Sequence, residues 1–155
     1  MTIVQTASQP GTREGRFKSI VDVHLLLVKD DELLLGVRKN TGYGDGALHP
    51  PAGHLEANES VIDALIREAK EEIDVTIAPE NVRLAHVMHN ASGDGRVAFF
   101  FEVKDWEGQV TNREPEKCDE WRWVPLASLP DRMIDYARSA LTSYASGELL
   151  SMYGW

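Results

Sequence analysis

Gly53-His-Leu-Glu-Ala-Asn-Glu59, followed after seven further residues by Arg67-Glu68-Ala-Lys-Glu71-Glu72, is the stretch on which the reading of this chain turns. The spacing of Ile62, Leu65, Ile66, Ala69 and Ile73 predicts an amphipathic helix over residues 60–73, with those side chains on its buried stripe. On the same wheel Glu68, Glu71 and Glu72 fall together on a separate arc about 100° wide. Like charges three and four residues apart oppose the helix by a few tenths of a kcal/mol per pair. The three also lie in its C-terminal half, where the macrodipole disfavours anions. A solvated acidic surface is the plain explanation. The alternative is a bound cation that offsets both penalties, and oxygen donors with no His or Cys among them point to a hard metal, Mg²⁺ or Mn²⁺.

The rest of the chain sets bounds on that choice. At 155 residues it is one domain by length and long enough to bury a core. A net charge of −9 argues against a nucleic-acid polymer or an anionic membrane as the main partner, because both call for basic patches. A polyanionic small molecule is still compatible when divalent cations screen its phosphates. Cys118 is the single cysteine, so no internal disulfide forms, which suits a cytoplasmic protein. No apolar run reaches the length of a spanning helix or a signal-peptide core.

Residues 1–16 are polar, contain Gly and Pro and show no periodicity; they are expected to be a loose arm, with the domain over residues 17–155. Strand-like runs over 19–29 and 33–37 flank Asp30-Asp31 and predict a hairpin. A Gly-rich loop over 40–46 and a short extended Pro-containing segment over 47–52 lead into the helix. Further strands are expected over 82–89, 97–104 and 121–124, and a second helix from Asp131 to about Ser146 on the spacing of Ile134, Ala137, Leu141 and Tyr144. Strands on both sides of a central helix, then a C-terminal helix, fit an α/β fold with a mixed sheet covered on both faces.

Residues 53–75 resemble the Nudix box, the pattern Gly, five residues, Glu, seven residues, Arg-Glu, a small or apolar residue, any residue, Glu-Glu, any residue, Gly, apolar. Gly53, Glu59, Arg67, Glu68, Ala69, Glu71, Glu72 and Val75 match it. Asp74 stands where the family has Gly, a left-handed position that Asp tolerates at a cost on the order of 1 kcal/mol. The resemblance implies a single-domain α/β/α sandwich and hydrolysis of a phosphoanhydride by water. It assigns Glu68, Glu71 and Glu72 as Mg²⁺ ligands, assisted by the carbonyl of Ala52. Glu68 is the first choice for the general base, with the loop residues Glu114 and Glu116 next. Arg67 is expected to hold the box loop through Glu59, and Arg38 to reach substrate phosphates.

Leu48 to Glu56 and the segment from Glu114 to Pro125 are similar to the MutT-like nucleoside triphosphate diphosphatases. The implied reaction converts an NTP, canonical or oxidised, to NMP and pyrophosphate. Cleavage of a nucleotide sugar, a dinucleotide or dihydroneopterin triphosphate, and a non-catalytic nucleotide sensor, are the competing readings. Leu48 and His49 are placed to line a base pocket. Trp121 and Trp123 share a strand face, where core packing and base stacking are both open. Met152-Tyr-Gly-Trp155 is an unusually aromatic tail, expected to pack on the core or on a second subunit, which makes a homodimer a hypothesis.

Overall fold

The computed structural model describes residues 15–155. Most of the expected N-terminal arm, residues 1–14, lies outside the described residues. The chain enters through β1 (Ile20–Lys29), turns at Asp30-Asp31 and returns as β2 (Glu32–Arg38). Both turn residues have positive φ, 51° and 62°, the conformation that matches the twist of a two-residue hairpin. The short strands β3 (Leu48–His49) and β4 (Ala52–His54) precede α1 (Val61–Ile73). Then follow β5 (Arg83–Asn90), β6 (Arg96–Val103), β7 (Cys118–Pro125), α2 (Asp135–Ala145) and β8 (Leu150–Tyr153).

The strands form one mixed sheet in the order β3-β2-β1-β6-β5-β8, with β4 on β1 and β7 on β2. The β1–β6 and β5–β8 pairs are parallel and the others antiparallel. β1 explains the layering. Its alternate residues Val23, Leu25 and Leu27 pack with Ala64, Leu65, Ala69 and Ile73 of α1. Leu26 and Val28, on the other face, pack with Ala140 and Leu141 of α2. A strand buried on both faces must be apolar nearly throughout, and each such side chain contributes about 1.5–3 kcal/mol on burial. The fold is therefore the α/β/α sandwich that the sequence implies. Among the described residues no helix is long and apolar enough to cross a membrane.

α1 has both ends defined locally. The Ser60 hydroxyl accepts from the Asp63 amide (3.1 Å) while the Asp63 carboxylate accepts from the Ser60 amide (3.2 Å), a reciprocal cap. Asp74 ends the helix at φ 58°, ψ 28°, donating its amide to the Lys70 carbonyl at 3.2 Å. Its carboxylate pairs with Lys70 (2.6 Å) and Arg113 (3.4 Å), a use for a side chain that Gly lacks.

One expectation is corrected and one is made specific. α2 begins at Asp135 rather than Asp131, because residues 132–134 are extended and engaged by β3: the Leu48 amide donates to Arg132 (2.9 Å) and the Ile134 amide to Leu48 (3.1 Å). The C-terminal tail is a strand, β8, added to the sheet beside β5. Buried His86 fastens it through the Glu148 carbonyl (2.8 Å) and the Ser151 hydroxyl (2.7 Å).

Candidate active site

The antiparallel register of β1 with β4 aims the box loop. Leu25 donates to Pro51 (2.8 Å) and Leu55 to Val21 (2.9 Å), so the alternate residues Ala52 and His54 turn their backbone groups away from β1. On that outer side the His54 carbonyl accepts from Arg67 at 3.1 Å, and the Ala52 backbone faces the Glu72 carboxylate. Gly53 lies between them, and a Cβ there would stand 1.8 Å from Glu68 Oε1 and 2.0 Å from its Cδ. The box glycine is required by the close approach of Glu68; its φ is ordinary.

Arg67 ties the loop to the helix. It donates to both carboxylate oxygens of Glu59 (3.1 and 2.8 Å), while Glu59 also accepts the Glu56 amide at 2.7 Å. The guanidinium Nη1 reaches Glu68 at 2.7 Å and Glu71 at 3.4 Å. These bonds, the one to Glu59 foremost, hold the Glu59 carboxyl below its usual range and push Arg67 up, so the pair stays ionised.

Glu68, Glu71, Glu72, Ala52, Arg67, Arg38, His49 and Trp121 line one cavity of about 550 Å³. Glu72, like Glu68, is a half-buried acid of the box helix. Burial first, then the charges of Glu68 and Glu114, drive its pKa well above that of an ordinary carboxyl. Burial also raises Glu68, with Arg67 working against it. An inward acid with other acids as neighbours, an adjacent backbone carbonyl and an all-oxygen donor set fit a hard divalent cation in kind. Among the described residues no three such side chains are already gathered at ligand spacing, and Glu68 is held by Arg67.

Three residues expected at the site lie elsewhere. Leu48 points away from the cavity into the α2-side core, as strand alternation with His49 requires. Trp123 shares a face with Trp121 but is one step farther along β7, opposite Leu34, stacked on Trp106 at 6.0 Å. Glu116 is exposed outside the lining. In its turn the Lys117 and Cys118 amides both donate to the Glu114 carbonyl (2.9 Å), which puts Glu114 and Lys117 on the cavity side instead.

The cavity is also lined by Asp22, His24, Arg96 and Tyr136, none of them expected there from the sequence. Arg96 makes a two-bond pair with buried Asp22 (2.7 and 2.6 Å) and touches His54 Nε2 at 2.7 Å. The inner wall is a chain of His24, Tyr136 and His49. The Pro50 carbonyl can only accept, so His49 Nδ1 carries a proton toward it (2.7 Å) and Nε2 accepts from the Tyr136 hydroxyl (2.6 Å). Tyr136 then accepts from His24 Nε2 at 3.1 Å. Burial, then the Arg96 charge, lowers His24 to about 3; burial, then His24, lowers His49 to about 3. Burial raises Tyr136, which keeps the proton it donates. Cys118 is pushed up to about 11 by burial and by Glu72, so it is a thiol, donating weakly to the Glu120 carbonyl. Asp22 and His24 carried a signal, as polar residues inside an apolar strand; Arg96 and Tyr136 had none.

The NUDIX domain family model matches residues 18–144. An RNA pyrophosphohydrolase of Gluconacetobacter diazotrophicus is 28% identical over 110 residues, covering 60% of this chain and 65% of that protein. A human 8-oxo-dGDP phosphatase is 28% identical over 108 residues, covering 68% of this chain and 32% of that protein. The matched stretch thus spans just under two thirds of the first relative's length and about a third of the second's. The crystal structure of a MutT NUDIX hydrolase from Burkholderia pseudomallei is similar at a TM-score of 0.72 and 26% identity, covering 81% of this chain and 98% of that one. A family match that runs from β1 into α2, over a sheet and helices that superpose on a solved member, shows that this chain belongs to the NUDIX family.

Proposed function

We propose that the protein is a Mg²⁺-dependent hydrolase that converts a nucleoside triphosphate, canonical or oxidised, to NMP and pyrophosphate. The observation that carries this reading is the composition of the cavity beside the box helix, where Glu56, Glu68, Glu71, Glu72 and Glu114 line the same space as Arg38, Arg96 and Lys117. Acids alone would repel a polyphosphate, and cations alone would leave no group to accept a proton from water. Glu68, Glu71, Glu72 and the Ala52 carbonyl would hold Mg²⁺, with Mn²⁺ as a substitute. When bound, the ion offsets phosphate charge and lowers the pKa of a coordinated water.

The chain's own residues supply the rest. Arg38, braced by the Tyr43 carbonyl (2.9 Å) and Thr41 hydroxyl (3.1 Å), and Lys117, held by Glu114 (2.8 Å), orient phosphate oxygens. Glu68 is the base we favour, with Glu114 in place of Glu116 as the loop alternative, because Glu114 faces the cavity. His49 and Trp121 supply flat walls for a base. Cytoplasmic residence belongs to the same reading, supported by the lone buried thiol.

A diphosphate substrate is a second reading, favoured by the name of the human relative, and the bacterial relative's name adds RNA ends to the panel. The test is incubation with Mg²⁺ and canonical, oxidised and pterin triphosphates, 8-oxo-dGDP, a nucleotide sugar, a dinucleotide and a 5′-triphosphorylated RNA, with products resolved by ion exchange. NMP and pyrophosphate from nucleoside triphosphates are expected. Orthophosphate from the diphosphate alone, or cleavage only of bridged compounds or RNA, would replace this assignment, and no cleavage at all would leave a sensor.

A further inference from the structure

β8 leaves one side of the sheet unfinished. Its inward backbone groups are used: the Val87 amide donates to Leu149 (2.8 Å) and the Ala91 amide to Tyr153 (2.9 Å). In a parallel pair this phase turns the amides and carbonyls of Leu150 and Met152 outward. Among the described residues neither has a backbone partner on that side. The same two side chains lie on the α1 face of the sheet, since Leu150 pairs with Val87, Val87 with Phe99 and Phe99 with Val23. α1 covers Val23 and stops short of β8, so Leu150 is 60%, Met152 69% and Trp155 71% exposed.

Sheet edges are ordinarily blunted by Lys, Pro, bulges or inward charges. From Leu149 to Trp155 there is no charged side chain and no Pro, in a chain of net charge −9. Of those devices only shortness is present. An outside partner of opposite charge has nothing here to recognise, whereas an identical edge does.

We propose that the outer edge of β8 is the contact surface for a second copy of this chain, paired antiparallel about a two-fold axis at Ser151. In that register Leu150 faces Met152 of the second copy and Met152 its Leu150. Each pair exchanges both amide–carbonyl bonds, so all outward groups of the two strands are satisfied at once. The apolar side chains of both copies then adjoin on one face, the self-complementary geometry that a two-fold interface requires. Leu150, Met152 and Trp155 expose on the order of 400 Å² per copy. These side chains can therefore hide at most about 800 Å² in the pair, the range of weak and reversible association.

The test is sedimentation equilibrium of the full chain from micromolar to millimolar concentration, together with hydrogen exchange of the Leu150 and Met152 amides. A reversible monomer–dimer equilibrium is expected, with protection of those two amides rising as dimer forms. The double variant Leu150→Glu, Met152→Glu should sediment as a monomer with an unchanged circular dichroism spectrum, since both side chains are exposed. Should that variant unfold, the exchange data on the wild type decide alone. A wild-type monomer throughout, a dimer the double variant leaves intact, or amides protected in the monomer (which would assign the edge to the chain's own residues 1–14) each overturns the proposal.

Discussion

Lowering the pH tests the inner wall of the cavity directly. His24 and His49 have folded-state values near 3 against 6.5 when free. Between those limits the unfolded chain binds protons that the folded chain refuses, so stability is full above about 6.5 and falls as the pH falls toward 3. At 1.36 kcal/mol per unit, each ring forfeits about 2 kcal/mol by pH 5. The raised pKa values of Glu68 and Glu72 act with the opposite sign, because acid favours the fold through them. The clean quantity is therefore a difference. Urea midpoints followed by Trp fluorescence at pH 7 and pH 5 give the acid loss for wild type and for His49→Gln, and the carboxyl contributions cancel between them. Wild type should lose about 2 kcal/mol more than the variant over that interval. Equal losses would show that His49 titrates normally in the fold and would refute the reasoning that burial holds it neutral.

Gly53→Ala must push Glu68 out of its place, since the new methyl would lie 1.8 Å from its carboxylate oxygen; a displacement of that size is expected to lower kcat roughly 100-fold, and activity within a few-fold of wild type would refute it. Glu72→Gln should abolish most turnover yet raise the urea midpoint at pH 7, because a carboxyl with a raised pKa is destabilising where it is ionised; a lower midpoint would show that Glu72 supports the fold. Asp74→Gly, which restores the family residue, trades about 1 kcal/mol of left-handed strain against ion pairs worth about 0.2–1 kcal/mol each. Its melting temperature should stay close to wild type, while Asp74→Ala, which keeps the strain and loses the pairs, should melt measurably lower.

What the sequence determined by itself is what neighbouring residues decide among themselves. The i, i+3, i+4 stripe of α1, its acidic arc and the turn at Asp30-Asp31 all act within a few residues, so their physics is written in order along the chain. Burial on both faces of β1 made its apolar run legible in the same way. Only tertiary structure decided the remaining walls of the cavity. His24 meets Tyr136 across 112 positions and Arg96 meets Asp22 across 74, and no periodicity links residues that far apart. Tertiary pairing likewise overrode local preference where β3 took the backbone groups of residues 132–134 from the second helix. It also made a strand of the aromatic tail, because a four-residue edge strand is held by its neighbour's backbone and by His86, neither of which local sequence can supply.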